Sequence, residues 1–369
     1  MAGTYRVAVF GRTGHGNYGH GLDTCWARIP GVEVVAVADD DQRGLAAAAK
    51  RLQIKAAYLD YRKLLSEVPV DLVAVAPRWV DQHHAMAIAA AEHGAHIYME
   101  KPFCRTLAEA DEVVAACNKH KVKLALAHPT HYSPKLQTIR DLIAEGAIGR
   151  VLEYRARGKE DSRGGGLDLW VLGTHVLDMI LAIGGKPQWC QARVTQDGQP
   201  VTSQHVGEGA EGIGPLAGDE VQAMFGMSDG ATAYFSSRRN AKHQPSRYGL
   251  QIHGSGGVIE LLEGTLPDVR ILKDSSWSPG RSGRQWQNVS SAGIDKPEPL
   301  DQERFRARHH LAILDLLQAI KDDRPPINDV LAARDVLEMI VSVFESHRQG
   351  KPVALPLEHR DNPLLKLEP

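Results

Sequence analysis

The sequence predicts an α/β chain in two parts: a doubly wound, mostly parallel sheet over residues 1–128, then an α+β region over 129–369 with a larger, mostly antiparallel sheet. Three observations carry this expectation. Short apolar strands alternate with helical patterns from Tyr5 onward, the alternation stops after residue 130, and the first strand runs into a cluster of glycines.

Tyr5–Phe10 (YRVAVF), Val32–Ala38 (VEVVAVA) and Asp71–Ala76 (DLVAVA) read as the first three strands, with His96–Met99 and Val122–Ala127 continuing the series. Helical patterns over Gln42–Arg51, Gln82–His93 and Leu107–His120 lie between them. A sheet wound this way binds its ligand at the carboxyl ends of the strands. Beyond it come a helix at Pro134–Glu145, a strand at Arg150–Arg157, a glycine-rich turn and an apolar helix at Leu167–Ile183. Strands at Trp189–Val194, Glu220–Met227, Ala231–Ser236, Tyr248–His253 and Val258–Leu262 follow, separated by turn chemistry such as Ser228-Asp229-Gly230. Residues 196–218 and 274–299, rich in Gly, Ser and Pro, read as loops over the active site or at subunit contacts. Helices at Phe305–Ile320 and Val330–His347 close the chain.

Composition bounds the function. A formal net charge of −2 argues against nucleic acid as a main partner, since phosphate binding needs a concentrated basic surface. The start of the chain predicts no secretory signal, and no uninterrupted apolar run is long enough to predict a membrane span. Cys25, Cys104, Cys117 and Cys190 are widely spaced without a CxxC pair, so reduced thiols and a cytoplasmic location are expected, and no zinc site. The adjacent pairs His83-His84 and His309-His310 do not suggest a metal either, because neighbouring side chains on a helix point apart.

The segment from Gly11 to Gly19 carries the ligand signal. Gly14, Gly16 and Gly19 satisfy GxGxxG; alternatively Gly11 is the first glycine and Thr13 takes the second's place. Either register lets backbone N–H groups approach a pyrophosphate at the start of a following apolar helix, with Gly11, Thr13, Gly14, Gly16, Asn17 and Tyr18 as candidate contacts. The second strand ends at Asp39, placed to accept from adenosine ribose hydroxyls, which predicts NAD over NADP. Asp40 and Asp41 add to the repulsion of a 2′-phosphate, although Arg43 could serve one.

At Met99-Glu100-Lys101-Pro102 a strand of the parallel sheet ends in a Lys-Pro pair, which puts an ammonium where a nicotinamide ring would lie. Here the chain resembles the glucose-fructose oxidoreductase / inositol dehydrogenase / rhizopine-catabolism family, whose members carry Glu-Lys-Pro at this point. The resemblance extends to Pro77 after the third strand, to His83 and the small-residue helix down to Gly94, and to Gly146-Ala147-Ile148-Gly149-Arg150-Val151. Further matches are Gly164-Gly165-Gly166 before Gly173-Thr174-His175-Val176-Leu177-Asp178, and Gly350-Lys351-Pro352-Val353. It implies a Rossmann domain followed by an α+β domain with an open sheet, often used for dimer or tetramer contacts, and sugar or cyclitol substrates. It also implies that Lys101 hydrogen-bonds the reacting hydroxyl, often beside a cis Lys-Pro bond, and that His175 accepts the proton. Pro77 and Glu100 become candidate cofactor contacts, and Arg157, Asp168 and Asp178 candidate substrate contacts.

One departure stands out. Family dehydrogenases often carry Asp-x-Gly-x-His, and here the five residues are Val171-Leu172-Gly173-Thr174-His175. On a regular helix Asp168 lies two turns from His175 and cannot substitute, while Asp178 shares the histidine's face and could orient it. Three readings follow: an NAD-dependent sugar, cyclitol or polyol dehydrogenase; a redox-neutral enzyme that retains NAD through a transient oxidation; and a non-catalytic dinucleotide or sugar sensor. The dehydrogenase reading leads, because oxidising an alcohol needs a base near neutral pH and a donor to the alkoxide, which His175 and Lys101 supply.

Overall fold

The computed structural model describes residues 4–241, 244–300 and 309–368. They form two compact units. The first runs to Ala127 and also holds Ala210–Gly214 and a later stretch ending at Arg334; the second holds the remainder from His128 onward.

The first unit is built on six parallel strands, β1 (Tyr5–Phe10), β2 (Val32–Ala38), β3 (Ala56–Tyr58), β4 (Leu72–Val75), β5 (His96–Met99) and β6 (Leu124–Leu126), in the order β3-β2-β1-β4-β5-β6. Val7–Phe10 and Leu72–Val75 are wholly buried, as befits parallel strands covered on both faces. The strand order reverses between β1 and β4, the switch point at which such sheets bind ligands. Helices α1 (Gln42–Leu52), α2 (Tyr61–Glu67), α3 (His83–Glu92) and α4 (Leu107–His120) connect the strands. Both β3 and α2 are additions to the sequence reading, so the strand expected third is fourth. β3 is only a three-residue strand, Ala-Ala-Tyr, too short to give a periodic signal.

A larger difference follows β1. No α-helix succeeds the glycine loop; residues 12–24 form successive turns and a single 3₁₀ turn, Cys25–Arg28. Gly14, Gly16, Gly19, Gly21 and Asn17 all adopt positive φ, a conformation that a right-handed helix cannot contain in its interior. The expected helix N-terminus behind a pyrophosphate is therefore absent from the described loop.

In the second unit, Pro134–Ala144 is helical, as expected. An open sheet of eleven strands among the described residues runs in the order Gly293–Ile294, Gln287–Ser290, Val269–Leu272, Gly257–Leu262, Gly249–Gly254, Val151–Arg157, Thr232–Arg238, Glu220–Met227, Pro187–Gln196 and Val353–Ala354, with Gln199–Pro200 as a branch. Its named pairings are antiparallel except Thr232–Arg238 with Val151–Arg157, which is parallel. The stretch 274–299 is thus partly strand, and 196–218 contains the short strands Gly207–Gly209 and Gly214–Leu216, correcting the all-loop expectation. Near the C-terminus, helices run over His310–Lys321 and Val330–Gln349; the expected start of the former at 305–308 lies outside the described residues.

The helix Gly166–Gly184 is long and apolar enough, by length and composition, to cross a membrane, yet 72% of its most apolar window is buried, the mark of a core helix. It is not regular. Leu169–Gly173 forms a π-helical turn between an α-helical start and the α-helix Thr174–Gly184. Such a turn holds more residues than an α turn and re-aims the side chains on either side of it, so spacings counted on a regular helix fail across it.

Gly173 lies under the Phe235 ring, where an added Cβ would stand 2.9 Å from Cζ and 3.2 Å from the Asp168 carbonyl oxygen. Helix propensity alone would favour Gly173→Ala by about 1 kcal/mol. Overpacking a filled site costs about 1–3 kcal/mol and should win. Thermal denaturation is expected to give a lower midpoint for Gly173→Ala; a higher one would contradict this packing.

Candidate active site

In the first unit the glycine loop is fastened by Asp39, which is buried at the end of β2. Its Oδ1 accepts from the backbone N–H groups of Thr13 and Asp41, both at 3.0 Å, and its Oδ2 accepts from Thr13 Oγ1 and the Tyr18 hydroxyl, both at 2.7 Å. A carboxylate offers about four lone-pair sites, so the chain itself fills Asp39. Burial, then the hydrogen bond to Asp39, push the Tyr18 hydroxyl far above its ordinary value, which keeps it a donor. Tyr18 in turn covers Gly11, where a Cβ would meet its ring at 2.2 Å. Asn17 Oδ1 caps the loop by accepting from Gly14 N at 2.9 Å.

Two glycines define the space for a dinucleotide. Gly14, at φ 85°, has nothing within 4 Å of where a Cβ would be, whereas Gly16, at φ 86°, would drive a Cβ to 2.4 Å from the Arg78 nitrogen. Gly16 therefore lets the loop lie against the segment after β4, and Gly14 leaves the loop open on its other side. A cavity of about 160 Å³ beside Asp39 is lined by Gly11, Arg12, Asp40, Tyr61 and Met86, among others. Arg12 is held by Asp40 at 3.1 Å and Asp81 at 2.7 Å, so its charge is already balanced. An open glycine turn at the switch point, with a cavity beside an acidic pair, fits the adenosine half of NAD.

The carboxyl ends of β4 and β5 are joined by His83. It is fully buried, with Nε2 2.7 Å from the Pro77 carbonyl oxygen and Nδ1 2.7 Å from that of Pro102. This places the Pro77 turn and the cis Lys101-Pro102 turn on one imidazole. Lys101 is only 4% exposed. Beside it, burial alone would raise the Glu100 carboxyl, but a hydrogen bond from His20 and the charges of Lys101, His20 and His309 outweigh burial and hold it at about 2. Glu100 also accepts from the Lys101 backbone nitrogen at 3.2 Å. His309 accompanies His20, with Nε2 3.2 Å from the His20 carbonyl oxygen and Nδ1 2.8 Å from the Tyr98 hydroxyl.

In the second unit, the helix Thr174–Gly184 carries His175 and Asp178, both buried. Asp178 is placed against two other histidines: its Oδ1 lies 2.8 Å from His131 Nδ1 and 3.2 Å from His128 Nδ1. Burial would raise its carboxyl, yet the charges and hydrogen bonds of His131 and His128 prevail and hold it well below the ordinary range. His128 also meets Thr174 Oγ1 at 3.0 Å and presents its ring to His175, centroids 5.2 Å apart. Asp178 thus orients His128 and His131, and reaches His175 through the His128 ring. His175 Nδ1 faces Glu263 Oε1 at 3.6 Å.

Asp168 and Arg157 sit elsewhere in this unit. Asp168, wholly buried, accepts from the Glu160 nitrogen at 3.0 Å and from the Ser237 hydroxyl, and burial raises its carboxyl. Arg157 donates to Glu160 at 2.9 Å, and Arg247 joins the same carboxylate at 2.8 Å. Among the described residues no group of His, Cys, Asp and Glu is arranged to hold a metal ion. Glu263, His20 and His309 were not singled out as site residues from the sequence, and no local spacing marks them.

Comparison with known proteins fits this arrangement. Residues 5–128 match the family described as "Oxidoreductase family, NAD-binding Rossmann fold", and residues 136–260 match "GFO/IDH/MocA C-terminal domain". The chain is 28% identical over 256 residues to levoglucosan dehydrogenase of Pseudarthrobacter phenanthrenivorans, covering 63% of this chain and 65% of that one. It is 28% identical over 271 residues to 2,7-anhydro-N-acetylneuraminate hydratase of Mediterraneibacter gnavus, covering 67% and 65%. The alignments thus span just under two thirds of these relatives' length. A solved structure of levoglucosan dehydrogenase with NADH and levoglucosan has the same fold, with a TM-score of 0.75 at 22% identity over 95% of this chain and 99% of that one.

The Glu100–His20 pair gives an acid signature. A carboxyl held down on folding stabilises the protein above its unfolded value of about 4.3, and that stabilisation is lost as pH falls towards about 2. His20→Gln removes the main bond holding Glu100 charged. Denaturant melts across pH 2–7 should show the variant's stability differing from wild type most at neutral pH and converging at the acid end; a constant difference at every pH would contradict the pairing.

Proposed function

Because the chain belongs to the GFO/IDH/MocA oxidoreductase family, we propose that it is an NAD-dependent dehydrogenase acting on a secondary alcohol of a sugar, cyclitol or sugar-derived polyol. The observation that carries the reading is Lys101, a buried ammonium set at the carboxyl end of β5 in a parallel sheet whose glycine loop and acidic β2 end fit NAD. Lys101 hydrogen-bonds the reacting hydroxyl and stabilises the oxygen as negative charge develops on it. His175 takes the hydroxyl proton. The nicotinamide, when bound, accepts the hydride. Glu100, ionised and fixed by His20, contributes to the nicotinamide side of the cofactor site, as does the Pro77 turn. Gly11, Thr13, Gly14, Gly16, Asn17 and Tyr18 form the diphosphate loop. NAD is favoured over NADP, because Asp39 and Asp40 present negative charge and Arg12 is balanced by Asp40 and Asp81. The sugar dehydrogenases among the relatives support the substrate class. The reading includes a cytoplasmic location, in keeping with four free cysteines.

A redox-neutral reaction is the second reading. It is favoured by the similarity to a hydratase of an anhydro-sugar and by Val171 in place of the helix carboxylate. The two differ in cofactor balance: a dehydrogenase yields net NADH, a redox-neutral enzyme yields product without it.

Incubating the full chain with NAD and a panel of anhydrosugars, aldoses and cyclitols should give net NADH, read by its near-ultraviolet absorbance, with one member of the panel. Lys101→Met should lower kcat/KM by about 100- to 1,000-fold, and His175→Asn by about 100- to 10,000-fold. Product without NADH would favour the second reading, and full activity in either variant would refute the assigned roles. Assembly into a homodimer or homotetramer through the second unit's open sheet, on which Tyr234 is exposed, is part of the same proposal; light scattering that gives a monomer mass would contradict it.

A further inference from the structure

The helix around His175 lacks the carboxylate common in related dehydrogenases, and the structure fills that stretch with packing. Val171 is buried, and it belongs to the π-helical turn Leu169–Gly173, which ends under Phe235. Asp178, on the histidine's own helix, is engaged by His131 and His128. A carboxylate faces His175 from a different element, at ion-pair rather than hydrogen-bond distance. Glu263 directly follows the strand Gly257–Leu262, and its Oε1 stands 3.6 Å from His175 Nδ1, with the two side chains 14% and 4% exposed.

The turn that carries Glu263 is tied down at two points. The Gly264 nitrogen donates to Thr130 Oγ1 at 2.9 Å, and Lys135 Nζ donates to the Pro267 carbonyl oxygen at 2.9 Å. Thr130 sits between His128 and His131, so the segment that supplies the two histidines also anchors the glutamate. Within the described second unit, Glu263 faces His175 from the sheet side and His128 from the 3₁₀ side, with His131 and Asp178 behind His128.

We propose that Glu263 is a positioning residue that supplies, from a turn at the end of a strand, the carboxylate missing from the helix, keeping His175 Nδ1–H toward itself and Nε2 as the proton acceptor. The inference rests on the dehydrogenase reading only for its purpose; the arrangement itself is testable without a substrate. A proton gained at Nε2 makes an imidazolium beside a carboxylate, and an opposite charge within about 4–6 Å favours the charged form. Glu263 therefore sets both the tautomer of the base and the pH at which it becomes protonated.

The test is nuclear magnetic resonance of the full chain labelled with ¹⁵N-histidine, with the His175 signals assigned by their disappearance in His175→Asn. Wild type should carry the His175 proton on Nδ1. In Glu263→Gln the His175 midpoint should fall by about one pH unit, in keeping with removal of a nearby opposite charge, while the melting temperature stays within a few degrees of wild type. An Nε2–H tautomer in wild type, or an unmoved midpoint in a folded Glu263→Gln, overturns the proposal. Should Glu263→Gln not fold, the wild-type tautomer decides alone. Product formed without net NADH would instead defeat the dehydrogenase reading, an outcome separate from either spectroscopic result.

Discussion

The carboxylate of Asp39 is the fixed point of the dinucleotide-binding unit. It gathers two backbone donors and two hydroxyls onto one buried acceptor, and so joins the glycine loop, the end of β2 and the approach to α1. The loop needs such an anchor. Its glycines and Asn17 occupy positive φ, no helix follows to organise it, and its backbone bonds are the short-range ones of successive turns, such as Asn17 N–H to the Arg12 carbonyl oxygen at 2.9 Å. Removing the carboxylate would leave buried donors without an acceptor, a loss of about 1–3 kcal/mol for each group. The open turn at Gly14 and the tight contact at Gly16 both depend on the loop being held in this one conformation.

The same use of charge recurs beside Lys101 and His175, the residues proposed to react. Glu100 and Asp178 are both wholly buried carboxylates kept ionised by imidazoles, the one by His20 and the other by His131 and His128. Burial opposes ionisation in each case, and only close partners overcome it. Each pair also touches a residue proposed for the site: Glu100 accepts from the Lys101 backbone nitrogen, and the His128 ring that Asp178 holds lies against His175. Groups fixed in advance need not reorganise as charge develops, and this is the main electrostatic contribution a protein makes to catalysis.

Much of this could be read in the sequence. Buried parallel strands are continuous apolar runs, so β1, β2, β4 and β5 were visible within a residue or two, and the change to an antiparallel sheet showed in alternation and turn residues. Lys101 and His175 stood out because short motifs occur around them. What escaped were features that depend on tertiary context. β3 has only three residues, and the edge strands Gln287–Ser290 and Gly293–Ile294 are polar and glycine-rich. The GxGxxG template suggested a helix, whereas the additional glycine at Gly21 and the bond from Tyr18 to Asp39 favour turns. The π-helical turn broke the spacing argument that set Asp168 and Val171 relative to His175. Glu263 was invisible because a local motif search looks for a carboxylate on the helix, and the fold provides one from a distant turn.

The loop anchored by Asp39 is proposed as a site for NAD. Calorimetric titration of the purified chain, stripped of any retained nucleotide, with NAD and then with NADP tests it most directly. Saturable binding of one NAD per chain is expected, with markedly weaker binding of NADP, because Asp39 and Asp40 oppose a 2′-phosphate and Arg12 is already balanced. Equal or tighter binding of NADP would contradict the specificity drawn from those residues, and no heat with either dinucleotide would contradict the site itself.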